Sequence, residues 1–139
     1  MRPCSRSTPT CSKKQCPSLD LTYPEIRKYG IDEVYCISVN DAFVMYQWGN
    51  ALNLKHIKLV ADGSGHFTRR MGMLVNKDRF GMGYRSWRYT MVVDSGVIEK
   101  WFEEPGINDD GLDNDPYTVT NPDVLIDYLR NRRAAQAAE

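Results

Sequence analysis

The sequence predicts an α/β fold, a mainly parallel sheet flanked by helices and finished by an antiparallel hairpin. Three observations carry that expectation. Two short β-branched runs, Glu33 to Val39 and His56 to Ala61, alternate with helix-forming stretches, and such alternation implies parallel strands joined by crossover helices. A third β-rich stretch, Arg88 to Val93, is separated from Val97 to Phe102 by Asp94-Ser95-Gly96, a hairpin signal. The length of 139 residues with 42% hydrophobic content supplies one domain, spanning 1–139, with a genuine core.

The elements follow in order. Thr8-Pro9-Thr10-Cys11 reads as a helix start, with Thr8 as N-cap and Pro9 where its missing N–H costs nothing. That helix is expected to break near Pro17, resume past Leu19 and Leu21, and stop at Gly30, a common C-terminal residue. EVYCISV (Glu33 to Val39) is almost continuously apolar, as in a strand buried on both faces. Asn40-Asp41 caps a helix carrying Phe43, Val44 and Trp48, and Asp62-Gly63-Ser64-Gly65 closes the second strand before a short helix near Phe67 to Met71. A loop rich in Asp, Asn and Gly then leads to a last helix over about Asp123 to Arg133, ahead of an Ala-rich tail.

Composition narrows the function. The 18 Lys and Arg balance 18 Asp and Glu, so the chain lacks the electrostatic footprint of a nucleic-acid binder. The acidic stretch Asp109 to Asp115 and the basic Arg130, Arg132 and Arg133 read as solvated loop and helix end. No apolar run approaches the ~20 residues that cross a bilayer, and no apolar h-region marks a secretory leader. A cytoplasmic location is the expectation.

Four cysteines stand at 4, 11, 16 and 36. Three crowd the first sixteen residues, a poor arrangement for stapling a domain of this size. Without a C-x-x-C pair or clustered histidines, zinc ligation and thioredoxin-type disulfide exchange are both disfavoured. Reactive thiol chemistry in a reducing compartment fits better. With Thr8 as N-cap, Cys11 falls in the first helical turn, near unpaired N–H groups and the positive end of the helix dipole. Such surroundings favour the thiolate, the nucleophilic form and the one that peroxides oxidise to sulfenic acid. An inert buried cysteine is the alternative on these residues alone.

Thr8-Pro9-Thr10-Cys11-Ser12 resembles the active-site segment of peroxiredoxins of the type II, or type-five, subfamily. The resemblance extends through YGIDEVYCISVNDAFVMYQW (Tyr29 to Trp48), ADGSGHFTRRMGM (Ala61 to Met73) and GYRSWRYTMVV (Gly83 to Val93). It implies a thioredoxin-like fold and a peroxidase acting on hydrogen peroxide and organic hydroperoxides. It further implies that Cys11 is the peroxidatic thiol, that Thr8 orients the peroxide, and that Arg88, not Arg85, is the catalytic arginine. Arg85 then reads as a surface or structural residue. No cofactor is implied beyond an external reductant, glutathione or glutaredoxin, and the family leads one to expect a homodimer.

Two departures from the family pattern stand out. Its motif is P-x-x-x-T-x-x-C, whereas position 4 here holds Cys4, with Pro3 one place early. Family members also enter this motif from a buried apolar strand, which Met1 to Ser7 does not supply. The opening strands are therefore expected to be missing, leaving a gap in the sheet between the two retained parallel strands. The alternative reading is a truncated, inactive remnant. Cys36 is expected to pack in the core in preference to resolving a sulfenic acid, Cys16 has no family counterpart, and His56 and His66 are expected at the surface.

Overall fold

The computed structural model describes residues 10–107 and 115–138. The expected N-cap at Thr8 lies outside them. Thr10 is already helical, and Cys11–Gln15 form a π turn that runs without a break into helix α1, Cys16–Arg27. The expected interruption at Pro17 is therefore corrected. In an α-helix the ring of Pro17 would clash with the carbonyl four residues back and leave it unbonded. The wider turn, closed by Cys16 N–H donating to Cys11 O, absorbs the proline instead. Gly30, at φ +82°, ends the segment as expected.

Strand β1 (Tyr35–Ser38) pairs in parallel with β2 (Lys58–Ala61), from Tyr35 opposite Lys58 to Ser38 opposite Ala61. Helix α2 (Ala42–Leu52) crosses between them, capped by Asp41, whose carboxylate accepts from Val44 N–H at 2.8 Å. Gly49 lets this helix approach β2 closely, because a Cβ there would lie 3.1 Å from Leu59 Cδ1. Helix α3 (His66–Arg70) is held by Asp62, which accepts from Phe67 N–H, Thr68 N–H and Thr68 Oγ1 at 3.2, 2.8 and 2.7 Å.

A hairpin of β3 (Leu74–Asn76) and β4 (Tyr84–Ser86) follows. Three-residue strands carry too little alternation to be read from sequence. The expected terminal hairpin is β5 (Tyr89–Asp94) with β6 (Val97–Glu103), bulged at Val92/Val93. The last helix, α4, runs Pro122–Ala137, longer than expected because alanine, the strongest helix former, extends it.

Two apolar clusters hold these parts together. Leu19 and Ile26 of α1, Met45 and Trp48 of α2, Ile57, Val92, and Leu125, Ile126 and Leu129 of α4 form the larger. Met73, Val75 and Trp87 form the smaller. Helix α4 also ties back to the end of α1, with Arg132 donating to Tyr29 O at 2.9 Å and Arg133 to Lys28 O at 3.1 Å.

Among the described residues the strands pair only in twos, β1 with β2, β3 with β4 and β5 with β6. The open position in the sheet is therefore not between the parallel pair, as the sequence led one to expect. It lies on the other side of β1. A cleft of about 1110 Å³ is lined by Tyr35 to Ser38 of β1 and by Tyr89 to Val93 of β5. This also corrects the expectation that Glu33 to Val39 is buried on both faces. Tyr35 is 55% exposed and Cys36, Ile37 and Ser38 are half-buried, because β1 has a strand on one edge and the cleft on the other.

Candidate active site

Cys11 opens the π turn at the start of the first helix, and Arg88 sits just before β5. The two lie 77 residues apart in sequence, yet Arg88 Nη2 donates to Cys11 Sγ at 3.2 Å. Both line the cleft. The guanidinium is buried and each of its nitrogens has a defined acceptor. Nε donates to Gln15 Oε1 at 3.0 Å, Nη1 to the Pro116 carbonyl, and Nη2 also to Asp115 Oδ1 at 2.6 Å. Its plane lies over Tyr117, 5.7 Å from the ring centroid. Burial works against the Arg88 charge, but the attraction of Cys11 and Asp115 outweighs it and raises the pKa above the ordinary value. The cation beside the sulfur is therefore permanent.

Gln15 braces both partners, since its Oε1 accepts from Cys11 Sγ at 3.5 Å as well as from Arg88. The nucleophile's turn is also tied to α2, with Trp48 Nε1 donating to Ser12 Oγ at 3.0 Å. Of the three expected site residues, Cys11 and Arg88 are brought together, and Thr8 lies outside the described residues. Arg85 takes a different place. It donates to the Val39 carbonyl and to Asn40 Oδ1 at 3.4 Å, fixing the end of β1.

Sequence reading missed Gln15, Asp115 and Tyr117. Gln15 was legible in principle, being four residues from Cys11 on one helical face. Asp115 and Tyr117 were not, because only the folded chain carries their loop to Arg88.

That loop is fixed by Glu104, which is fully buried. Its carboxylate accepts from Thr118 N–H and Oγ1, both at 2.8 Å, and from Thr120 N–H and Oγ1 at 3.0 and 2.8 Å. Burial pushes its pKa up, but these four bonds outweigh it and hold the group below its ordinary 4.5. A depressed carboxylate contributes stability that is complete above the unfolded value and is lost as pH falls through the folded one. Asp20, which accepts from the N–H groups of Lys55, His56 and Ile57, behaves likewise. Urea melts should therefore show constant stability near neutrality and a decline below about pH 4.5. Glu104→Gln should flatten that decline, and Glu104→Ala should cost about 2–4 kcal/mol at pH 7 by leaving buried donors unpaired. An unchanged acid limb in Glu104→Gln would show that the cradle is not the source.

Comparison with known proteins gives a consistent picture. The redoxin family model matches residues 4–116. Over 123 residues the chain is 54% identical to peroxiredoxin y4vD of Sinorhizobium fredii, covering 88% of this chain and 65% of that one. It is 43% identical over 129 residues to hybrid peroxiredoxin hyPrx5 of Haemophilus influenzae, covering 93% and 52%. The chain thus spans about two thirds of the first relative and about half of the second. Among solved structures, the 1-Cys peroxiredoxin antioxidant protein of Plasmodium falciparum superposes with a TM-score of 0.86 at 35% identity, covering 90% of this chain and 70% of that one. The X-ray structure of another peroxiredoxin matches with the same TM-score and identity, covering 90% and 73%.

Proposed function

The chain belongs to the peroxiredoxins of the redoxin family and has their thioredoxin-like fold, and from that premise we propose that it is a thiol peroxidase using Cys11. The reading is carried by the 3.2 Å contact between Arg88 Nη2 and Cys11 Sγ. The Cys11 thiolate attacks the terminal oxygen of hydrogen peroxide or an organic hydroperoxide. The O–O bond breaks, oxygen stays on sulfur as a sulfenic acid, and the departing oxygen leaves with a proton as water or alcohol. Arg88 stabilises the thiolate before attack and donates to the peroxide oxygens as charge moves onto the leaving one. Gln15, Asp115 and the Pro116 carbonyl hold the guanidinium in one orientation, which favours a working site over an inactive remnant. Thr8 orients the peroxide through its hydroxyl.

The reductant in this proposal is glutathione, with or without glutaredoxin. A cycle that draws on glutathione needs a reducing setting, which in this proposal is the cytoplasm. The enzyme is proposed to be a homodimer, for which Phe43 and Tyr46 of α2, 85% and 68% exposed, offer an apolar face.

The test is a coupled assay of the purified chain with hydrogen peroxide and an alkyl hydroperoxide. Glutathione with glutaredoxin is expected to sustain turnover of both. Turnover with thioredoxin alone would overturn the proposed reductant, and no peroxide consumption with any thiol would overturn the peroxidase reading.

A further inference from the structure

The chain beyond β6 sets a negative charge beside the nucleophile. Asp115 Oδ1 accepts from Arg88 Nη2 at 2.6 Å, and the same nitrogen donates to Cys11 Sγ at 3.2 Å. With Cys11 as the thiolate, one cation stands between two anions, and the three groups together carry one net negative charge. The Arg88 side chain is 7% exposed and that of Asp115 25%. The cation is thus covered, while the carboxylate reaches the cleft that Cys11 also lines.

Bracing alone does not call for this charge. Arg88 is already oriented by Gln15 Oε1 on Nε, by the Pro116 carbonyl on Nη1 and by the Tyr117 ring. The chain just beyond is fixed by the Glu104 carboxylate on Thr118 and Thr120. An amide oxygen at position 115 would also accept from Nη2. What only a carboxylate adds is charge. The other charged side chains lining the cleft are engaged elsewhere. Glu33 pairs with Lys58 at 3.0 Å, Lys77 lies over the Trp87 ring, and Arg85 is held at the end of β1.

We propose that Asp115 is a specificity-determining residue, which admits uncharged hydroperoxides to the Cys11 thiolate and turns away those carrying an anionic group close to the O–O bond. The proposal rests on Cys11 being the peroxidatic thiol. Because Cys11 and Asp115 share one nitrogen of Arg88, a peroxide that reaches the sulfur is also close to the carboxylate. Hydrogen peroxide and alkyl hydroperoxides make this approach without repulsion. For an anion the repulsion is only weakly screened in a partly desolvated cleft, and a like charge is a common means of rejecting a wrong partner.

The filter follows the state of the sulfur. Once Cys11 is a neutral sulfenic acid, Arg88 and Asp115 cancel. An anionic thiol such as glutathione then meets a site with no net charge. One residue therefore screens the oxidant and leaves the reductant's entry open.

The test follows stopped-flow oxidation of the reduced full-length chain by hydrogen peroxide, by hydroperoxyisovalerate and by the methyl ester of the latter. The last two share a tertiary O–O group and differ by one negative charge near it. Their rates are referenced to those with free cysteamine thiolate. The wild type is expected to favour the ester over the carboxylate at least about tenfold. Asp115→Asn should narrow that ratio at least about threefold, whatever its rate with hydrogen peroxide, and Asp115→Glu should preserve it. Asparagine suits the position because Asp115 has φ +30°, a left-handed conformation that Asn tolerates as well as Asp. Equal rates with ester and carboxylate in the wild type would overturn the filter and leave the peroxidase reading intact. An unchanged ratio in Asp115→Asn would do the same. If that variant fails to fold, the wild type decides through salt. The carboxylate should gain on the ester as ionic strength rises, and a flat ratio would overturn the proposal. Cys11 left unoxidised by hydrogen peroxide would overturn the peroxidase reading itself.

Discussion

Cys11→Ser should abolish peroxide consumption, with a loss of at least about a thousandfold, equivalent to roughly 4 kcal/mol of barrier. A serine hydroxyl keeps the size of the side chain and the hydrogen-bonding position beside Gln15 and Arg88. It does not ionise near neutrality, and it lacks the polarisable sulfur that accepts oxygen. The loss should therefore appear in the chemical step with the fold unchanged, which circular dichroism of the variant would verify. Cys36→Ser should largely retain turnover when glutathione is present, because an external thiol can reduce oxidised Cys11 directly. Wild-type rates in Cys11→Ser would refute the assignment of the nucleophile. Equal, severe losses in Cys11→Ser and Cys36→Ser would point to an intramolecular disulfide cycle in place of direct reduction by an external thiol.

Arg88→Lys should lower the second-order rate with peroxide at least about tenfold, equivalent to roughly 1.4 kcal/mol of transition-state stabilisation, although charge is conserved. The guanidinium serves Cys11, Gln15, Asp115 and the Pro116 carbonyl at once, from three nitrogens in one plane. A lysine ammonium is a single point of charge with no such fork, and satisfying Asp115 would draw it from the sulfur. Arg85→Lys should cost much less, because Arg85 is committed to the end of β1. Stopped-flow oxidation of the two variants side by side gives the ranking, and the reverse order would mean the wrong arginine has been assigned.

The alternation of β-branched runs with capped helices made the parallel pair and its crossover legible, and Asp94-Ser95-Gly96 made the terminal hairpin legible, because each signal is local. Cys11 and Arg88 were legible through the resemblance around them. What the sequence hid was set by partners far along the chain. Pro17 reads as a break because α-helical geometry forbids it, and the π turn that accommodates it leaves no pattern in composition. EVYCISV looks like a strand covered on both sides, yet its exposure depends on what stands along its second edge. Cys16 has no family counterpart to single it out. Its contact with Cys36, 3.6 Å between the sulfurs, arises only when α1 and β1 come together in the folded chain.

The clasp between α1 and α4 sets an order of events during synthesis. Leu19 and Ile26 share their core with Leu125, Ile126 and Leu129, and Arg132 and Arg133 close on carbonyls about a hundred residues upstream. Contacts of such high sequence separation form late, since loop closure must precede any gain. On the ribosome the helix that bears the nucleophile emerges about a hundred residues ahead of its packing partner α4. The loop after β6 that brings Asp115, Pro116 and Tyr117 to Arg88 is made late as well. The braced contact between Cys11 and Arg88 thus belongs to the folded chain, assembled only once α4 and the loop carrying Asp115 have been made.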